Sequence, residues 1–183
     1  MMFRLGIGGS ILVILLIGFW ICRQTPAAVI TRPNDFSLRY EWREGSIPPP
    51  YHYEYTISIA PDGRGQVVMV PDYPSDQVPI WTETFRLQPM ELDAAYVLLT
   101  KQGLFRQVWR APDPDRLPVG GNSQTLVIAA QGKSIELPDY VVPEQAPAAE
   151  AIYATVKALV PKSIWTKLNA RHEEYVASKI LKP

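Results

Sequence analysis

Few side chains in this sequence combine a reactive type with a telling spacing, and the clearest are the aspartates of Asp113-Pro114-Asp115. A carboxylate pair can hold a hard cation or share one proton. The same tripeptide is also ordinary turn chemistry, because aspartate beside proline starts turns, and no regular series of acidic ligands follows it. Acid–base catalysis would recruit a histidine, and the chain has 2. His52 falls between Tyr51 and Tyr53 on the polar side of an alternating segment, where Glu41 or Arg43 across the sheet would account for it as a surface residue. His172 precedes Glu173 and Glu174 in a helical stretch, and consecutive helical positions diverge, so that run does not converge on a metal. The backbone amides of Gly120-Gly121-Asn122-Ser123 could cradle an anion, or the four residues could simply lead into the next strand. The sequence holds no GxSxG elbow, P-loop or HExxH, and its single cysteine, Cys22, sits in an apolar run. No catalytic, cofactor-binding or metal-ligating residue is therefore assigned, and an enzyme is the less favoured class. Its remaining form is an envelope hydrolase in which folding brings Asp113 or Asp115 to His52 or His172.

Composition sets outer bounds. A chain of 183 residues is one domain's worth, and 47% apolar with 20% charged residues is a globular balance in spite of 18 prolines. Lysine plus arginine and aspartate plus glutamate are each 18, so no surplus positive charge draws the chain to a phosphate backbone. Nucleic acid is excluded as the expected partner. One cysteine cannot close an intrachain disulfide.

The strongest local signal is residues 5–22, LGIGGSILVILLIGFWIC, uncharged and bracketed by Arg4 and Arg23. As a helix these 18 residues would extend about 27 Å, just short of the roughly 30 Å hydrocarbon core, with Phe19 and Trp20 near one interface. The expectation is an uncleaved anchor over 1–23 and a linker over 24–35. A cleaved signal peptide is the alternative, with a mature N-terminus at Ala28. Flanking positive charges nearly balance, and the short basic tail ahead of the apolar run favours an outward-facing domain over a cytosol-facing one.

Residues 36–183 form the expected domain. Phe36, Leu38, Tyr40 and Trp42 alternate with Ser37, Arg39, Glu41 and Arg43, a period of two that marks a strand with one apolar face. Residues 51–59 repeat the device, with Tyr51, Tyr53, Tyr55, Ile57 and Ile59 on one side. Between them Pro48-Pro49-Pro50 calls for a longer loop than a tight hairpin. After the Pro61-Asp62-Gly63 turn a third strand, 66–70, reads as buried on both faces through Val67, Val68, Met69 and Val70. A fourth strand carries Trp81, Glu83 and Phe85. From Pro89 the period changes to helical, with Leu92, Tyr96 and Leu99 forming the expected lid over the aromatic face. An irregular run follows over 104–122. The Gln131-Gly132 turn then joins two short strands, and two helices separated by Pro161 complete the chain. Trp42, Tyr51, Trp81, Trp109 and Trp165 exceed what a small core strictly needs; burial is the default for each, and any left exposed would suit protein, glycan or peptide contact.

The strand, Asp62-Gly63 turn, strand and LQPMELDAAYVLLTKQGLF together resemble a layout of small exported or membrane-anchored bacterial α+β domains of unknown function. In these a helix of the form E-L-x-x-x-x-x-L-L-x-x-x-G-L-F follows the sheet. The match covers roughly 53–105 and implies a compact α+β domain exported or held at the membrane, without transferable catalytic residues. Pattern and resemblance lead to one expectation. An N-terminal transmembrane helix precedes one antiparallel sheet of about six strands, with about three helices packed mainly on one face. The expected function is an accessory or interaction module, tethered to the inner membrane through residues 5–22 and facing a protein partner.

Overall fold

The computed structural model describes residues 30–117 and 120–181. The expected anchor over 1–23, with its uncharged run 5–22, lies outside them, and among the described residues no helix is long and apolar enough to cross a membrane. The fold is α+β. Six antiparallel strands, β1 (Ser37–Arg43), β2 (Glu54–Ile59), β3 (Arg64–Val70), β4 (Trp81–Arg86), β5 (Ser123–Ala130) and β6 (Lys133–Leu137), form one sheet in the order β4-β3-β2-β1-β5-β6. Among the described residues three α-helices, α1 (Pro89–Lys101), α2 (Ala146–Ala158) and α3 (Lys162–Ile180), join it.

Alternation decides which face is covered. Leu38, Tyr40 and Trp42 of β1 share the core side with Tyr55, Ile57 and Ile59 of β2, Val67 and Met69 of β3, and Leu126 and Ile128 of β5. Burying each large apolar side chain contributes about 1.5–3 kcal/mol relative to leaving it in water. The opposite face carries Arg39, Glu41, Arg43, Thr56, Gln66 and Thr84, and stays open. β3 is therefore buried on one side only: Val68, across from Thr56, lies half-buried on the open face. The run of valines reads as two-sided burial, but propensity for strand and burial are separate matters.

The aromatic face is shared among the helices rather than left to α1. Phe36 meets Tyr96 of α1 edge-on at 5.2 Å, Tyr40 meets Tyr153 of α2 at 5.7 Å, and Tyr55 meets Trp165 of α3 at 5.0 Å. A six-stranded sheet is about 24 Å across and one helix covers only about 10 Å, so one helix could not have served. Each helix has a local reason to begin or end. Pro89 opens α1, where the Glu91 carboxylate accepts the Gln88 N–H at 2.7 Å, and Gly103 closes it with a φ of 90°. Pro161 lies between α2 and α3.

The two ends of the sheet differ. At one end the chain joins the domain: Ile30 packs on the core, and the Arg32 Nε donates to Asp93 Oδ1 of α1 at 2.6 Å. The Asp35 carboxylate there accepts the N–H groups of Gln131 at 2.8 Å and Gly132 at 2.6 Å. The other end holds the long β1–β2 and β3–β4 loops. β1, seven residues long, separates the two ends by roughly 20 Å.

Candidate functional site

Both histidines lie at the end with the long loops. β2 starts at Glu54, three residues later than the alternation of 51–59 predicts, because Tyr51 N–H donates to Pro48 O at 3.1 Å and closes a turn through the prolines. That turn leaves Tyr51 half-exposed and takes His52 inward, where it is 3% exposed. The expectation of a surface histidine on the strand's polar side is thus corrected. The His52 ring stacks on Tyr73 at 3.8 Å with 6° between planes. Its Nδ1 lies 3.4 Å from Gly45 O and its Nε2 lies 3.2 Å from Glu54 Oε1. Both partners are acceptors, so a ring with hydrogen on one nitrogen serves one of them at a time.

Tyr73 and Asp72 tie the loops together. Tyr73 OH donates to Ile47 O at 2.9 Å, linking the β3–β4 loop to the β1–β2 loop. Asp72, 8% exposed, accepts the Tyr73 N–H at 2.8 Å and the Tyr175 OH of α3 at 3.3 Å. Burial, reinforced by Asp72, raises the Tyr175 pKa and keeps the phenol protonated as that donor.

His172 of α3 reaches the same place. Its ring lies 4.9 Å from that of Tyr53, between the two loops. The carbonyls of His52, Pro50 and Pro71 and the carboxylate of Asp72 lie around it, yet Nε2 is buried without a hydrogen-bond partner. Arg171, one position earlier, sits over Trp81 at 4.6 Å and within 3.8 Å of Glu83. The fold therefore collects two imidazoles, a carboxylate and two phenols from three distant segments, and the hydrogen bond from Tyr175 OH to Asp72 ties α3 to the β3–β4 loop. Among the described residues no three His, Cys, Asp or Glu side chains are placed to hold a metal ion.

The other expected positions lie elsewhere. Asp113 caps a single 3-10 turn, Pro114–Arg116, its Oδ1 accepting the Asp115 N–H at 3.1 Å, and both aspartates are exposed. Asp113 borders a groove lined by Tyr140, Val142 and Glu144, and the hydrogen bonds of these aspartates include no histidine. Gly121 packs against Gly45, where an added Cβ would lie 2.8 Å from Gly121 O, so this glycine run seats one loop on another and leads into β5. Of the large rings, Trp42, Trp81 and Trp109 are buried and Trp165 is partly buried, which leaves Tyr51 exposed, together with Tyr73.

Sequence reasoning passed over Asp72, Tyr73 and Tyr175. Asp72 and Tyr73 stand in a Pro-bounded stretch between two strands and Tyr175 in the last helical segment, with nothing local to join them. The available signal was the crowding of Asp and Tyr between Pro71 and Pro74. Compared with models of known protein families and with curated proteins, the chain matches none.

Proposed function

We propose that this chain is a single-pass, membrane-tethered interaction module whose domain faces away from the cytosol. The observation that carries the reading is the uncharged run of residues 5–22 between Arg4 and Arg23. Two features of the domain support it. The chain joins at the Asp93 and Asp35 end of the sheet, so a tether there leaves the long loops, with Tyr51 and Tyr73, at the far end from the bilayer. Tyrosines of this kind suit a protein partner, because each offers a large apolar surface with a polar tip. Equal numbers of acidic and basic groups, 18 each, argue against nucleic acid.

The test is protease digestion of intact cells with the outer barrier opened, together with membrane fractionation and the mass of the mature chain. The expected result is a full-length, membrane-bound species whose domain is digested. Protection until the inner membrane is lysed would turn the domain to the cytosol, and a mature chain beginning at Ala28 would make it a secreted protein. Hydrolysis of model ester or peptide substrates by the purified full chain, lost on Asp113→Asn or Asp115→Asn, would replace the module with an envelope hydrolase.

A further inference from the structure

The second half of α3 has an unusual attachment. In its first half Ile164 and Leu168 are buried in the core, as expected for a helix lying on a sheet. Beyond Leu168 the apolar anchoring fades: Glu173, Glu174 and everything from Ala177 to Leu181 are exposed. What holds this half is a set of polar and aromatic contacts from Arg171, His172 and Tyr175. Of these, His172 alone is wedged between the β1–β2 and β3–β4 loops, and among the described residues its Nε2 is the buried side-chain polar atom left without a partner.

We propose that His172 is an acid-sensitive latch: neutral, it pins the second half of α3 to the two loops, and its protonation releases that half. The chemistry is a proton added to the ring. Whichever nitrogen bears the hydrogen of the neutral form, imidazolium carries an N–H on both, and Nε2 has no acceptor in bonding geometry, so its N–H is then buried unpaired. A lost charge-bearing hydrogen bond costs more than a neutral one, and the remedy is to move the ring toward water.

The surrounding groups set the direction. From the β1–β2 loop the ring meets Tyr53 and the carbonyls of Pro50 and His52, and from the β3–β4 loop the carbonyl of Pro71 and the carboxylate of Asp72; one contact further out lie Glu54, which faces His52, and Glu44, which acts on Tyr53. α3 itself supplies Arg171 and Tyr175, and β4 supplies Glu83, which is paired with Arg171 and Lys167. Burial is the largest influence on His172 and holds its pKa below the usual 6.5, while the nearby carbonyls and Asp72 oppose it without overcoming it. A folded value below the unfolded one means that the contact is at full strength above pH 6.5 and weakens as pH falls through the folded value.

Hydrogen exchange of the full chain in neutral-lipid nanodiscs or detergent tests this, compared at pH 7.5 and 5 after correction for intrinsic rates. Residues 171–181 should lose protection severalfold at the lower pH while β1 keeps its own. His172→Gln should abolish the difference, and His52→Gln should preserve it. Should His172→Gln fail to fold, the unaltered chain still decides the matter: the midpoint of release must coincide with the titration of the His172 ring followed by NMR. Protection that is equal at both pH values, that rises in acid, that depends on pH in His172→Gln, or that changes at a pH unrelated to the ring overturns the latch.

Discussion

At the scale of single residues, several polar groups hold positions that apolar packing alone leaves loose. Asp35 ties the first segment of the domain to the Gln131-Gly132 turn, and the N–H groups of Gly132 and then Gln131 hold its carboxyl below 3.8. Its folded value is depressed, so this contribution is present above pH 3.8 and is lost as pH falls through the folded value. Asp35→Ala should speed amide exchange at Gln131 and Gly132 at neutral pH and leave the acid limb of their exchange flatter. In the same turn Gln131 has a φ of 57°, a conformation that asparagine tolerates better. Gln131→Asn should therefore raise stability by about 0.5–1 kcal/mol in chemical denaturation, the order of the left-handed strain relieved. Tyr40 is fully buried and burial raises its pKa, so its hydroxyl stays a donor, reaching Gln124 Oε1 at 2.8 Å. Tyr40→Phe should cost about 1 kcal/mol, the net worth of one such bond.

At the scale of elements, alternation located β1, β4 and most of β2, an apolar run after the Asp62-Gly63 turn located β3, and the change to helical spacing at Pro89 located α1. These were legible because alternation and capping are local properties of the chain. His52 was misplaced for the opposite reason. Its burial depends on Tyr73, in a different loop, and on a turn that delays β2, and neither is written in the residues beside it. The same holds for the site as a whole, since Asp72 and His172 meet only after α3 has packed across the sheet. Two substitutions test the element-level account. Leu168 is fully buried under α3, so Leu168→Ala should cost about 2–5 kcal/mol by removing apolar contact and leaving a cavity. Gly65 of β3 lies opposite Phe85 of β4, whose ring occupies the space that a Cβ would need. Gly65→Ala should destabilise by about 1–3 kcal/mol through overpacking, and the loss should shrink when Phe85→Leu is added. Thermal or denaturant unfolding of the single and double variants measures both effects.

At the scale of the whole molecule, the sheet order puts the first strand near the middle. β1 is flanked by β2 and by β5, while β4 and β6 are the edges. Amide exchange should rank accordingly, with β1 opening only on global unfolding and β6 opening first, a pattern that residue-resolved exchange would display. The order also bears on the chain as it is made. β2, β3 and β4 follow β1 directly, but β5 starts at Ser123, after α1 and the irregular run have been added. Throughout that interval the emerging polypeptide carries β1 as an unpaired edge, backed by Tyr40 and Trp42 with neither α2 nor α3 yet there to cover them. An edge of that kind recruits whatever extended segment is nearest. Whichever side of the membrane receives the chain, its central strand is thus capped late, and the interval before Ser123 arrives is when a chaperone has the most to do.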